Sequence, residues 1–440
     1  MTPKKSAGDN LSKRFPRQLI PAIIGIIALV FGFYTYHQGM VTSPDTATYS
    51  SWADLLISDH FNYMRFAQDA SFVVPPVLYS GWTTVVALQK ILFGSAWMKA
   101  VVLLNYCLAL IVIWWLLKLI SRITRSAVCL ITSGALALLS YEMLNWIRFV
   151  LSDISFMAIT FVIFYLLCGL AEKDGETKNS RAILPGQVIL ILLFCALALF
   201  YRPTAFPLLL LVPLAYLTRR KVLQGIEART HLIKRASLLL FVFIAIAIIA
   251  HAYLMMNPSA WPVTFASRWI KTLSGEYQQG YVVWQRPETY YMNPASLLDF
   301  AAITLKKLAY FFSFYLSSFS LVHNLANFIF FFPVYVLSLL AIYKMFRRPG
   351  GLTCEEWWTG WLATLWIIFY ALFHAFQQID YDWRYRLTSM PQLILLSSIG
   401  LKSLLPERHR MKEVIYLRDE ELKPAGGLRG DEQSARLNGE

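Results

Sequence analysis

Apolar runs of about twenty residues recur along this chain, and about twenty helical residues are what the roughly 30 Å hydrocarbon core of a bilayer requires. They lie near residues 19–36, 98–120, 126–145, 153–170, 184–201, 203–218, 236–256, 325–345, 356–376 and 388–405. In lipid a single segment must satisfy its own backbone donors and acceptors, which leaves the helix as its only solution. The expected fold is therefore an all-α polytopic membrane protein with about ten transmembrane helices. A chain of 440 residues that is 57% hydrophobic and only 15% charged is too apolar for one soluble domain. The first run is approached by Lys4, Lys5, Lys13, Arg14 and Arg17, and no small-residue cleavage site follows it, so it reads as an uncleaved anchor.

Charge sets the expected orientation. Two further apolar stretches, 72–93 and 301–322, are ambiguous: the first carries Pro75, Pro76 and Gly81, the second the adjacent Lys306 and Lys307. With both on the outer surface, 28 of the 40 lysines and arginines fall in inner segments, as the positive-inside tendency favours. Spanning with 72–93 would instead export "RRKVLQGIEARTHLIKR". The expected organisation is a basic inner N-terminus at 1–18, a membrane domain at 19–405 and a polar, disordered inner tail at 406–440. Outer loops at 37–97 and 257–324 should carry amphipathic helices. The net charge of +14 follows from the inner loops and calls for no nucleic-acid partner. The five cysteines show no CxxC spacing, so neither disulfides nor zinc–cysteine sites are expected.

Four outer stretches carry polar chemistry. "SPDTATYSSWADLL" starts at Ser43, with Pro44 and Asp45 next, and makes an ordinary helix start: Ser as N-cap, Pro at the first helical position, an acid in the first turn. Tyr49 and Trp52 share the Asp45 face at i+4 and i+7, as a cleft lining or an interfacial aromatic belt would require. "NWIRFVLSDISF" brings Arg148 and Asp153 to the junction of the third and fourth spans, where a charge needs a partner or a water-filled cavity. "YRPTAF" holds Arg202, and "DYDWRYRLTSMP" holds Arg384 and Arg386 at the start of the last span. Single arginines near helix ends often only snorkel. Four at one level, beside two carboxylates, point to an anionic head group held next to a base. The aromatic stretch "EYQQGYVVWQRPETYYMNP" suits a sugar ring or a membrane interface equally.

In their order along the chain, the acid after the first span, "PPVLYSGWTTVVALQKILFG", "RFVLSD", "RPT" and "WRYRLTSMPQL" resemble the GT-C superfamily of membrane glycosyltransferases, over roughly residues 20–405. The likeness is to the branch of lipid A aminoarabinose transferases and protein O-mannosyltransferases. The resemblance implies a GT-C-like helical bundle that moves a sugar from a polyprenyl-phosphate carrier to an acceptor outside the cytoplasm. It implies Asp45 as the catalytic acid of the first loop, and maps the "LSD" acid to Asp153. The chain departs from the pattern at Val73 and Val74, where relatives carry a Glu-Lys pair, and in lacking a large soluble C-terminal domain.

The implied chemistry suits the residues. Asp45 would be the general base on an acceptor hydroxyl and one displacement would invert the anomeric carbon. Asp153 would orient Asp45, neutralise an arginine or share a divalent cation with it. Substrate contacts are expected from Tyr49, Arg148, Arg202, Arg384, Arg386 and Lys306, the arginines taking the phosphate. His60, His323 and His374 lack ligand spacing, so no metal site is assigned and no cofactor is required beyond that candidate cation. The expected partners are a polyprenyl-phosphate-linked sugar, a lipid, glycan or protein acceptor, and membrane lipids. The expected location is a bacterial inner membrane, with the site facing the periplasm or exterior. The competing reading is a transporter or flippase of a lipid-linked sugar, for which repeats with broken mid-membrane helices would be typical.

Overall fold

A computed structural model describes residues 8–69, 76–170, 185–223, 231, 297–317, 319–347, 351–376 and 383–405. The expected span at 236–256, the aromatic stretch at 276–294 and the tail from 406 lie outside the described residues. Every element described is helical; one isolated parallel bridge joins Val41 and Phe149. The helices are α1 (Gly8–Gln38), α2 (Pro44–Ser58), α3 (Tyr63–Asp69), α4 (Ser80–Phe93), α5 (Trp97–Thr124), α6 (Ala127–Leu139), α7 (Tyr141–Trp146), α8 (Asp153–Cys168), α9 (Pro185–Tyr201) and α10 (Pro207–Leu223). After a gap come α11 (Leu297–Phe312), α12 (Leu321–Arg347), α13 (Cys354–Phe376) and α14 (Met390–Lys402).

Among the described residues, four segments are long and apolar enough to cross a membrane: Leu19–Gln38, Val77–Thr124, Leu321–Arg347 and Cys354–Phe376. Four shorter apolar helices accompany them, at Ala127–Leu139, Asp153–Cys168, Gly186–Tyr201 and Pro203–Arg219. These helices fit an integral membrane protein; the structure does not show ten spanning helices. The differences have local causes. Gly94, at φ +51°, ends α4 in a conformation that glycine adopts without a Cβ penalty, so α4 and α5 are separate helices. The expected helix at 126–145 breaks at Ser140 into α6 and the six-residue α7. The last run starts as a 3₁₀ helix, Trp383–Ser389, and continues as α14. The two together extend about 33 Å, comparable with a hydrocarbon core.

The core helices pack where small residues let backbones meet. The broadest contact is α12 against α14. A Cβ on Gly400 would lie 1.9 Å from the Leu337 carbonyl oxygen, so only glycine permits this crossing. Between α6 and α14 the Ser133 and Ser398 hydroxyls share a 2.5 Å hydrogen bond within the buried core. α13 packs against α10, α11 and α14. Trp357, Trp358 and Trp366 on α13 are fully buried, whereas α1 keeps Leu29, Phe33 and Tyr36 exposed, as a lipid-facing helix does.

Candidate active site

The segment after α1 is fixed to the segment before α8 by backbone alone. Val41 N–H donates to the Arg148 carbonyl at 2.9 Å, and Val150 N–H donates to the Val41 carbonyl at 3.1 Å. Two residues on, α2 starts as its sequence dictates: Ser43 Oγ accepts from Thr46 N–H, Thr46 Oγ1 accepts from Ser43 N–H at 3.0 Å, and Pro44 opens the helix. The Thr46 hydroxyl also donates to the Val150 carbonyl at 3.2 Å. On the other side of this turn Asn105, buried on α5, donates to the Phe149 carbonyl at 3.0 Å and accepts from the Ser155 hydroxyl at 3.1 Å. Asp45 and Asp153, each in the first turn of its helix, are thereby held at one end of the bundle.

Each acid meets an arginine. Arg384 Nη1 donates to Asp45 Oδ2 at 2.7 Å, in a pair whose side chains are 20% and 45% exposed, respectively. Arg202 Nη1 donates to Asp153 Oδ1, in a pair only 7% and 4% exposed. Asp153, Arg202 and Arg384 line one narrow cleft, together with Phe156, Thr204, His374, Tyr385 and Thr388. Asp45 reaches this cleft through Arg384. The Arg202 guanidinium lies 5.9 Å from the Phe156 ring centre.

An aromatic box backs the pairs. Tyr49 and Trp52 do share one face of α2, and that face is buried: Tyr49 packs against Tyr79 at 5.7 Å and Trp82 at 6.3 Å, and Trp82 continues to Tyr201 at 5.8 Å. Burial pushes the Tyr49 phenol well above its ordinary pKa, with Arg202, Asp45 and Arg384 close enough to act on it electrostatically. Tyr49 therefore stays a neutral hydroxyl beside both ion pairs.

The other expected substrate residues are placed differently. Arg386 is fully buried and its donors are occupied: Nε donates to Glu142 Oε2 at 2.9 Å, Nη2 to Glu142 Oε1, and Nη1 to the carbonyls of Phe311 and Ser313. The Phe331 ring covers it at 3.9 Å. It anchors the 3₁₀ segment that presents Arg384, and an anion at its donors would have to displace Glu142. Arg148 donates to Asn145 Oδ1 at 3.2 Å and lies over the Tyr34 ring at 5.4 Å; it is not among the residues lining the cleft. Lys306 sits over the Tyr310 ring at 6.0 Å, also outside the cleft lining, while its neighbour Lys307 is the buried lysine of α11.

Sequence reasoning missed Glu142 and considered His374 only as a metal ligand, setting it aside. An acid inside the run 126–145 needs a cation, so Glu142 was legible as one half of a pair. His374, on the last turn of α13, stacks on Tyr385 at 4.3 Å and faces the cleft. No spacing in the chain ties it to the acids. Among the described residues no three His, Cys, Asp or Glu side chains group as metal ligands. Asp45 and Asp153, the pair weighed for a shared cation, each hold an arginine. No family model, curated protein or solved structure matches this chain.

Proposed function

We propose that the protein is a membrane glycosyltransferase that transfers a sugar from a polyprenyl-phosphate carrier to an acceptor hydroxyl at the Asp45 end of the bundle. The observation that carries this reading is the Asp45 carboxylate held by Arg384, which shares a cleft with Arg202 and Asp153. The ordered resemblance to the GT-C superfamily adds to it. In the reaction the acceptor oxygen bonds to the anomeric carbon as that carbon's bond to the phosphate oxygen breaks. Asp45 takes the acceptor proton, and polyprenyl phosphate leaves with the electron pair. Arg384 and Arg202 stabilise the charge that grows on the leaving phosphate, in a site partly shielded from water. Asp153 keeps Arg202 in place, and Tyr49 offers a neutral donor. The displacement inverts the anomeric configuration.

Arg386 with Glu142 serves this site by fixing the segment that carries Arg384 and Tyr385. Arg148 and Lys306 stand at its periphery. The proposed setting is a bacterial inner membrane, with the Asp45 end facing the periplasm or exterior. Purified protein incubated with a panel of polyprenyl-phosphate sugars, with and without candidate acceptors, tests the reading. Release of free lipid phosphate that depends on an acceptor is expected. Passage of an intact lipid-linked sugar across a sealed vesicle, with no bond broken, would replace the transferase by a flippase.

A further inference from the structure

Three ion pairs surround the cleft and its supporting segment, and they differ in how open they are. Asp153–Arg202 and Glu142–Arg386 are buried, while Asp45–Arg384, in contact at 2.7 Å, is part-exposed. Three carboxylates against three guanidiniums leave this set formally neutral. An arriving anion must therefore compete with a carboxylate for one of these arginines. Of the three pairs, the open one separates most readily, because water compensates its partners and solvent already screens them.

Two further observations favour an anion site between Arg202 and Arg384. Both line the cleft, and their positive charges oppose each other. Arg202 also keeps its buried Nε–H without an acceptor among the described residues, and a buried donor in that state favours a ligand oxygen.

We propose that the Asp45 carboxylate occupies the anion site of Arg384 in the resting protein, and that a phosphate anion bridging Arg384 and Arg202 displaces it. This rests on the transferase reading for its consequence: the phosphate that docks the donor also frees the base. A carboxylate that loses its guanidinium and gains an anionic neighbour becomes a stronger proton acceptor. The Asp45 carboxylate is then open to an acceptor hydroxyl when donor is bound. Without donor the base stays masked.

The test is binding of polyprenyl monophosphate, and in parallel inorganic phosphate, to the full-length protein in detergent, followed by tryptophan fluorescence. Asp45→Asn removes the internal competitor, so both anions should bind about threefold to tenfold more tightly than to wild type. Arg384→Gln should bind about tenfold more weakly or worse, and Asp45→Asn in that background should give no gain. Asp45→Ser repeats the measurement should the amide disturb the helix start. Unchanged or weaker binding to both Asp45 variants, with their melting unaltered, overturns the proposal. Turnover on the same preparations separates the two ideas: no transfer with unchanged affinity sinks the displacement alone, whereas undiminished transfer by Asp45→Asn sinks the transferase reading.

Discussion

The two ends of the bundle treat charge in different ways. At the end where α13 starts and α14 stops, acids sit at a helix N-terminus and bases at C-termini: Glu355 and Glu356 open α13, Arg122 closes α5 and Lys402 closes α14. The pairs Arg122–Glu355 and Lys402–Glu356, both at 2.8 Å, therefore agree with the helix dipoles, and Glu356 adds a capping box with Thr353. At the opposite end Asp45 and Asp153 also open helices, and Arg202 still suits the dipoles, since it follows the C-terminus of α9 and its N–H donates to the Ala198 carbonyl. Arg384 departs from the rule: with Arg386 it lies at the start of the segment that runs to Lys402. Cations at helix N-termini are disfavoured by about 0.3–1 kcal/mol each. One end is built for stability; the other accepts a local cost where its arginines surround a cleft, which is where function is to be sought.

Substitutions can break or sharpen that contrast. The largest effect should come from Asp45→Asn, which is expected to lower transfer by about 10²- to 10⁴-fold with an unchanged melting profile, measured as acceptor-dependent release of lipid phosphate. Next is Glu142→Gln, which strands the buried Arg386 charge and should cost about 3–5 kcal/mol, read as an earlier unfolding transition in detergent. Gly400→Ala tests the scaffold shared by both ends. Its Cβ would force α12 from α14, with a loss of about 1–3 kcal/mol or more and no direct effect on the cleft. The smallest belongs to the far end: Glu355→Gln, in a pair 26% and 29% exposed, should change stability by less than about 1 kcal/mol and leave turnover intact. A far-end variant that abolished transfer without unfolding would erase the distinction.

The helices were legible because hydropathy is a local property of the chain. So was the start of α2, where Ser43, Pro44 and Asp45 take the capping positions that their chemistry dictates. The helix breaks were less legible. Ser140 interrupts an apolar run that hydropathy alone reads as continuous, whereas the break at Gly94 falls in the gap already read between 72–93 and 98–120. Partnership was hidden for a different reason. Asp45 and Arg384 stand 339 positions apart, and nothing local to either residue selects the other. Four arginines at one level gave no sign that Arg386 would be occupied by Glu142, since that depends on which way a 3₁₀ turn rotates each side chain. His374 joins the cleft through packing on Tyr385, a contact with no signature in the chain.

The two hydrogen bonds between positions 41 and 148–150 use only main-chain atoms, so the identity of their side chains is of little consequence to where α2 begins. Those sites can drift among ordinary residues with the turn that starts α2 left in register. Proline is the exception. At 41 or 150 it would delete a donor and uncouple the first helix from the fourth expected span, a lesion visible to backbone amide exchange before any side chain of the cleft had changed.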